Sequence, residues 1–180
     1  MRSEVVPPRL VAPYLAAHHY LGPTGRGVAW SDELGVVVLA KPTSRRLPAD
    51  GSWLELVRWC LVPGGANSGS RQWARVVRWL RTVEPTVTTV VSYSDPSAGH
   101  TGGLYRACNW RPAPTWHRLR EPPSGEGSWR PGARQAAKDR WVYLVRPDAR
   151  RPRLLRVEDE AVNPGLLDWP DCLAGGGSRR

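Results

Sequence analysis

Phenylalanine is absent from this sequence of 180 residues, and methionine occurs once. The aromatic bulk of a hydrophobic core must therefore come mainly from the 10 tryptophans, so tryptophan alone does not indicate a ligand-stacking surface. Cysteine is also scarce: Cys60, Cys108 and Cys172 lie far apart and form no Cys-x-x-Cys pair. This spacing argues against a structural zinc site and against the disulfide framework of a secreted protein.

Long apolar runs and acidic residues are few as well. No stretch approaches the ~18 apolar residues of a membrane span, and the N-terminus lacks a signal-peptide core, so we expect a cytoplasmic protein. The 26 Lys and Arg residues exceed the 16 Asp and Glu, which gives a formal net charge of +10. Such a field attracts polyanions, either nucleic acid or the phosphates of coenzyme A. Drift toward arginine in a GC-rich coding sequence would give the same balance, so charge alone names no partner.

The pattern of apolar residues predicts an α/β protein with a mixed central sheet and helices on both faces. An apolar, β-prone segment at residues 53–62 is a good central strand. With the helix and the strand that follow, it forms a βαβ unit, whose crossover should be right-handed. The predicted strands cover residues 27–31, 34–40, 53–62, 87–94, 115–120 and 140–145, and the predicted helices cover residues 14–19, 70–83 and 104–108.

The length of the chain suits a single domain, which we place at residues 1–158. Residues 121–135, rich in Pro and Gly, are expected to form a long loop, and residues 159–180 a flexible C-terminal tail. The clearest helix, at residues 70–83, has an apolar face opposite an arginine-rich one. That apolar face consists of Trp73, Val76, Val77, Leu80 and Val83.

The turn between the central strand and this helix is a candidate anion site. Its sequence is Asn67-Ser68-Gly69-Ser70-Arg71, preceded by two further glycines. Glycines let the backbone approach a phosphate closely, and the free N–H groups and the helix dipole favour an anion at a helix start. The alternative is an ordinary Ser or Asn N-cap, which most helices have.

A second motif, Leu104-Tyr105-Arg106-Ala107-Cys108-Asn109-Trp110, resembles the Leu-Tyr-x-x-x-Gly-Phe signature of GNAT-type acetyltransferases. Asn109 stands in the place of Gly, and Asn tolerates the positive φ that such a helix end requires. In that family the Tyr hydroxyl lies near the thioester sulfur and can protonate the leaving thiolate. The resemblance therefore implies that Tyr105 is a general acid.

Six short motifs, in one consistent order over about residues 18–145, together resemble the phage Mom family of DNA-modification proteins. They are His19-Tyr20, Glu55-Leu56-Val57-Arg58, Asn67-Ser68-Gly69-Ser70-Arg71, Ser92-Tyr93-Ser94-Asp95, Tyr105-Arg106-Ala107-Cys108-Asn109-Trp110 and Lys138-Asp139-Arg140-Trp141-Val142-Tyr143.

This resemblance implies a GNAT-like, acyl-CoA-binding catalytic domain that uses acetyl-CoA and is associated with iron. It also implies conversion of adenine N6 in DNA to a carbamoylmethyl derivative, which shields phage DNA from host restriction enzymes. The new bond forms at the acetyl methyl carbon, which ordinary acyl transfer does not explain, and a redox-active metal would offer a radical route.

The same resemblance, carried over residue by residue, implies roles at three places. Arg58 is expected to bind a carboxamide, a phosphate or Asp95. The implied residues are Tyr105, Asp95, Tyr20, Ser92 and Arg58 in catalysis, Asn67, Ser68, Gly69, Ser70, Arg71 and Asn109 at acetyl-CoA, and His19 with Asp95 at the metal.

Several of these roles have a simpler alternative. His19 and Asp95 suit non-haem iron, but a facial triad needs two histidines and one carboxylate, and a lone His-Tyr is more often packed or solvated. Asp95, at the end of a strand, also fits a cap of the following turn. Cys108 fits a small buried residue better than a nucleophile. The available histidines are His18, His19, His100 and His117.

An enzyme that acts on adenine N6 must reach an amine inside the duplex, so we expect base flipping or a single-stranded substrate. The arginine-rich residues 44–46, 118–120 and 146–156 are expected to hold phosphates, mostly without reading sequence. Trp116 and Trp129 are candidates for stacking on a base, although burial in the core suits Trp116 equally well.

Two other functions fit the sequence. A conventional N-acetyltransferase acting on a small amine or a protein would also bind acetyl-CoA. A basic DNA-binding protein whose coenzyme A site has decayed would bind DNA in a steeply salt-dependent way but would not bind acyl-CoA.

Overall fold

The computed structural model describes residues 3–113 and 138–146, which form seven strands and three α-helices. The strands are β1 (Glu4–Val6), β2 (Val28–Asp32), β3 (Gly35–Ala40), β4 (Trp53–Leu61), β5 (Thr89–Ser94), β6 (Arg111–Ala113) and β7 (Asp139–Leu144). The helices are α1 (Pro8–His18), α2 (Ser68–Val83) and α3 (Gly103–Ala107), and a 3-10 turn (Pro96–Ala98) precedes α3. The predicted α/β class is confirmed. No helix in this part of the chain is both long and apolar enough to cross a membrane.

All seven strands belong to one sheet, in the order β1-β2-β3-β4-β5-β7-β6. Neighbouring strands are antiparallel except β4 and β5, which run parallel. A parallel pair needs a crossover connection, and α2 provides it here. The predicted order of strand, helix and strand over residues 53–94 is therefore confirmed.

The core divides into two clusters that both include residues of β3. The larger cluster contains Val37 and Leu39 with the buried face of α2, and the smaller cluster contains Val36 and Val38 with residues of α1. Each Val or Leu side chain buried in this way stabilises the fold by about 1.5–3 kcal/mol. The buried apolar residues of α2 are Trp73, Val76, Val77 and Leu80.

Some predicted boundaries were wrong. Helix α1 begins at Pro8 rather than at residue 14, because proline suits the first helical turn, where its missing N–H is not needed. Val83, predicted for the apolar face of α2, is 55% exposed because it is the last residue of the helix. Strands β1 and β6 were not predicted, since three residues show no periodicity. Four expectations lie outside the described residues. They are the strand at residues 115–120, the loop at residues 121–135, the tail at residues 159–180 and the domain boundary at residue 158.

Strands β4 and β5 separate part-way along their length. Their pairing runs from Trp53 opposite Thr89 to Leu56 opposite Ser92, whereas β4 continues to Leu61. Over residues 57–61, therefore, no described strand pairs with the β5-facing edge of β4. We refer to this opening, between residues 57–61 of β4 and residues 93–94 of β5, as the β4–β5 fork.

Strand β4 also carries a β-bulge at Val57. Consecutive residues of β3 pair with Arg58 and with Leu56, so Val57 has no partner on β3. The extra residue shifts the alternation of side chains by one position. As a result, Trp59 packs against the same cluster as Leu56, which lies three positions earlier.

Candidate active site

A pocket with a volume of about 310 Å³ opens at the β4–β5 fork. Its walls come from β4, β5, the turn after α1 and the loop that leads into α3. The structure brings together here five of the residues expected in the site, namely His19, Tyr20, Arg58, Ser92 and Tyr105. They come from segments far apart in the sequence, so the fold creates this cluster.

The Tyr105 hydroxyl lies at the inner wall of the pocket. It is 2.9 Å from Ser92 Oγ, and Ser92 Oγ donates to the Leu56 carbonyl at 3.0 Å. A serine hydroxyl has one proton, so Tyr105 is the donor in its bond with Ser92. Burial raises the pKa of Tyr105 to about 12, against the opposing effect of the Ser92 hydrogen bond. Tyr105 therefore keeps its proton near neutral pH, which fits a general acid.

An aromatic cage holds the Tyr105 ring. The ring stacks on Trp141, with centroids 5.3 Å apart and planes 8° apart, and meets Trp110 edge-on at 5.3 Å. The Trp141 indole N–H donates to Ser94 Oγ at 2.9 Å, which fixes the ring in its plane. Gly102 lies against the same indole, and a Cβ at that position would overlap the Trp141 ring.

The end of α3 fixes the backbone of the tyrosine. Asn109 has a φ of 61°, which confirms the positive φ expected there. Its N–H donates to the Arg106 carbonyl at 3.1 Å, and the Trp110 N–H donates to the Tyr105 carbonyl at 3.0 Å. These two bonds form a Schellman motif, which satisfies the last carbonyls of the helix. Asn109 shapes this helix end, and its expected contact with acetyl-CoA stays a prediction.

Arg58 connects the pocket mouth to the bulge in β4. Its Nε donates to the Gly22 carbonyl at 2.8 Å, and Nη1 donates to the Val57 carbonyl at 2.7 Å. The guanidinium thus holds the turn after α1 against the bulge residue that has no partner on β3. Asp95, one of the partners expected for Arg58, is not among the contacts of this guanidinium in the described residues.

Three rings form one side of the pocket mouth. The His19 ring stacks on the Tyr20 ring, with centroids 5.1 Å apart, and the Tyr20 ring meets the His100 ring edge-on, with centroids 4.6 Å apart. Burial, followed by the charge of Arg58, lowers the pKa of His19 to about 4, so its imidazole is neutral near pH 7. The Leu21 N–H donates to His19 Nδ1 at 3.2 Å, so Nδ1 is the acceptor and the neutral ring carries its proton on Nε2.

Asp95 caps the 3-10 turn that follows β5. Its Oδ1 accepts from the Ser97 N–H at 3.0 Å and from the Ser97 hydroxyl, and that hydroxyl is the main cause of the lowered pKa of Asp95. The simpler alternative given above, a turn cap, therefore describes its contacts. Asp95 is not among the residues that line the pocket. Its charge nevertheless reaches the site, because the pKa of Tyr20 is raised first by burial and then by the charge of Asp95.

The two expected metal ligands do not complete an iron site. Within residues 3–113 and 138–146, no group of three or more His, Cys, Asp or Glu side chains is placed to hold a metal ion. His19 Nδ1 is occupied by a backbone N–H, and the Asp95 carboxylate is turned toward Ser97. The donor set found here does not match a facial triad, so a metal role for His19 and Asp95 stays a prediction.

The expected phosphate cradle at the start of α2 lies beside the pocket. Asn67 adopts the left-handed conformation, with φ 56°, and its side chain makes no capping hydrogen bond. The first turn of α2 has no acidic residue. Residues 67–71 do not line the pocket, but Leu104 does, and its side chain packs against Gly69. Leu104 thus contacts both the helix start and the pocket.

Sequence reasoning overlooked Gln72, Trp59, Trp141 and Gly102. Gln72 is fully buried in α2 and hydrogen-bonds to Trp59, which lines the pocket. One signal was present: Gln72 lies one helical turn before Val76 and so belongs to the apolar stripe. Nothing in the sequence pairs Gly102 with Trp141, because that contact depends on how the loop meets β7.

The buried thiol of Cys108 is expected to resist alkylation. Burial raises its pKa to about 12, and the side chain is 5% exposed. Only about one thiol in ten thousand would then be ionised at pH 8, and the thiolate is the reactive form. Iodoacetamide labelling followed by peptide mass spectrometry should show slow modification in the folded protein and fast modification in urea. Fast labelling of the folded protein would contradict this burial.

A model of the Mom protein family matches residues 30–119, which is half of the 180-residue chain. The match begins within β2 and includes β3, β4, α2, β5, α3 and β6, so it contains Arg58, Ser92 and Tyr105. A search of curated proteins finds no match. On the strength of the family match, the chain belongs to the Mom protein family.

Proposed function

We propose that this protein is a phage DNA-modification enzyme that converts adenine N6 to a carbamoylmethyl derivative and takes the added carbons from acetyl-CoA. Membership of the Mom family, which is linked to DNA modification in phages, gives the reaction class. The observation that carries the proposal is the protonated Tyr105 hydroxyl, bound to Ser92 within the 310 Å³ pocket.

A GNAT-like arrangement of the sheet is part of this proposal. The division of the core supports it, because residues 36 and 38 of β3 belong to the cluster of α1, and residues 37 and 39 belong to that of α2. Alternate residues of a strand point to opposite faces of a sheet. The two helices would then cover opposite faces.

The β4–β5 fork suits the amide-bearing arm of acetyl-CoA. Over residues 57–61, β4 presents an edge that no described strand pairs with. An extended ligand with amide groups can hydrogen-bond to such an edge as an added strand would. The arm would enter between the two strands and bring its thioester toward Ser92 and Tyr105, which line the same pocket.

The start of α2 suits the phosphates of the same ligand. The N-cap side chain makes no hydrogen bond to the first turn, and the Ser68 N–H donates to the Gly65 carbonyl. The N–H groups of Gly69 and Ser70 can therefore serve another acceptor. An anion is favoured at this end of a helix, and Arg71, which is exposed, adds positive charge. Leu104, packed on Gly69, would lie between the phosphate end and the thioester end of the ligand.

When a nitrogen nucleophile replaces the thiolate at the carbonyl carbon, which forms the carboxamide, Tyr105 would protonate the departing coenzyme A thiolate. The bond between the methyl carbon and adenine N6 is a separate oxidative step that needs an external oxidant, and we assign no residue to it. A phenol with a pKa of about 12 holds its proton at neutral pH and can release it to a thiolate formed within hydrogen-bond reach. Ser92 orients the hydroxyl. The described residues do not complete a metal site, so we propose no step through iron.

The DNA would reach this pocket with its target base extruded. A pocket of 310 Å³ admits a base but not a duplex, so the adenine must leave the stack. Phosphates would be held by the arginines expected for that role. Of these, Arg45 and Arg46 are exposed, and Arg146 is half-buried and donates to the Arg81 carbonyl at 3.1 Å. Other expected contacts lie outside the described residues. They are base stacking by Trp116 or Trp129 and phosphate binding by residues 118–120 and 147–156.

The mass of the nucleosides tests the function directly. DNA from cells that express the protein is digested to nucleosides and weighed, and we expect an adenosine that is heavier by the carbamoylmethyl group. Calorimetry with acetyl-CoA is the companion measurement. Unmodified DNA with acetyl-CoA binding would favour a conventional acetyltransferase. Unmodified DNA without acetyl-CoA binding, but with salt-sensitive DNA binding, would favour a DNA-binding protein.

A further inference from the structure

A buried chain of hydrogen bonds leads from the pocket wall through α2 to the turn between β2 and β3. The Trp59 indole N–H donates to Gln72 Oε1 at 2.8 Å, and Gln72 Nε2 donates to Asp32 Oδ1 at 2.9 Å. Gln72 is 0% exposed, and Asp32 is 5% exposed. We refer to Trp59, Gln72 and Asp32 as the Trp–Gln–Asp chain.

The polarity of this chain allows one arrangement only. An indole N–H can only donate, and an ionised carboxylate can only accept. The Gln72 amide must therefore turn its oxygen to Trp59 and its nitrogen to Asp32. Rotation of the amide by 180° would face N–H against N–H and oxygen against oxygen, and would leave buried groups unpaired.

The buried charge of Asp32 is compensated from two sides. The Leu34 N–H donates to Oδ1 at 2.9 Å, and Arg75 Nη1 approaches Oδ2 at 3.0 Å. The same Arg75 nitrogen lies 2.7 Å from Glu33 Oε1 at the protein surface. A buried carboxylate needs such partners, and Arg75 supplies the positive charge that pairs with Asp32.

The inner end of the chain belongs to the pocket. Trp59 lines it, and its ring meets Tyr105 edge-on with centroids 6.1 Å apart. The Trp59 ring also packs against the Trp73 ring of the core, with centroids 5.5 Å apart. The β-bulge at Val57 places Trp59 on this side of the sheet, and the bond to Gln72 sets the direction in which its ring points.

We propose that Gln72 and Asp32 are positioning residues that hold Trp59 as the wall of the acyl-CoA pocket. This inference rests on the proposed function, because it places the thioester end of acetyl-CoA against the Trp59 ring, next to Tyr105. Neither Gln72 nor Asp32 lines the pocket, so both act through the indole.

The variant Gln72→Met tests the proposal, because methionine has a similar shape but can neither accept from Trp59 nor donate to Asp32. Of the two hydrogen bonds lost, only the one to Trp59 acts on the pocket wall, and the free energy of one such bond corresponds to a factor of about five. We therefore expect the dissociation constant of acetyl-CoA to rise about fivefold in calorimetry. The rate at saturating acetyl-CoA should change little, since Tyr105 and Ser92 keep their bond. In a Trp59→Phe background, which lacks the indole N–H, Gln72→Met should have no further effect.

A second readout does not depend on activity. The indole N–H of Trp59 gives one signal in a ¹⁵N–¹H spectrum, identified by its loss in Trp59→Phe, and Gln72→Met should shift that signal and speed its exchange with water. Trp79→Phe is the matched control, because Trp79 packs against the same core but does not line the pocket. This control should leave the Trp59 signal and the affinity unchanged.

The outcomes separate the two levels of the proposal. An unshifted Trp59 signal in Gln72→Met, or an effect on affinity that persists in the Trp59→Phe background, would overturn the positioning role. If the wild-type protein binds no acetyl-CoA, the proposed function fails, and with it the assignment of Trp59 as the acyl-CoA wall. The indole signal still decides in that case whether Gln72 fixes the ring.

Discussion

Tyr105→Phe is expected to lower the rate of DNA modification by about 100-fold or more, the range typical of a lost general acid. The substitution removes the hydroxyl but keeps the ring, so the stacking on Trp141 and the edge contact with Trp110 remain. The lost group is the only proton donor that we assign to the thiolate. The rate is measured as modified adenosine formed per unit time by the purified protein.

Tyr14→Phe is the matched control for this substitution. Tyr14 belongs to α1, packs against the smaller core cluster and does not line the pocket. Removal of its hydroxyl should leave the rate unchanged, and both variants should keep the thermal midpoint of the wild type within a few degrees. Full activity of Tyr105→Phe would remove the hydroxyl from the chemistry.

Gly102→Ala is expected to reduce both stability and activity. Gly102 has a φ of 75°, which costs a residue with a Cβ about 1 kcal/mol. The new methyl group would also overlap the Trp141 ring, and the adjustment of a packed site costs about 1–3 kcal/mol more. Because Trp141 stacks on Tyr105, the displaced indole should carry the tyrosine away from Ser92. Urea unfolding and the modification rate are the two measurements.

Gly99→Ala separates the two causes. Gly99 lies in the same loop with a φ of 79°, but a Cβ there would meet no atom within 4 Å. Its substitution should therefore cost about 1 kcal/mol, the conformational part alone, and leave the rate near that of the wild type. Equal losses in Gly99→Ala and Gly102→Ala would show that the contact with Trp141 does not matter.

The sequence was sufficient to predict the elements with clear periodicity. The strands that became β2 to β5 and β7, and the helix α2, all have apolar patterns that identify them. The Tyr105 motif was equally informative, because its asparagine marks a helix end with positive φ, as Asn109 has. These features depend on local geometry, which nearby residues determine.

The relations between distant segments could not be predicted in this way. Arg58 binds carbonyl groups of the turn after α1 and of the bulge, rather than a carboxylate. This choice depends on where β4 and β5 separate. Asp95 was expected at the metal or in catalysis, yet its contacts are those of a turn cap. Gln72 became a link to the pocket because Asp32 and Trp59 lie on either side of it. Such contacts follow from the packing of the whole sheet.

In β4, Val57 has no partner on β3. The number of residues between Leu56 and Trp59 is therefore a requirement of the site, in addition to their identity. Trp59 lies in the wall next to Tyr105 because the bulge takes up one of the residues between it and Leu56. Addition of one residue between Leu56 and Trp59 would turn the indole to the far face, however well the remaining side chains were chosen. Deletion of Val57 would keep the face of the indole but remove the carbonyl to which Arg58 donates. This segment therefore tolerates substitutions of similar size but neither insertions nor deletions.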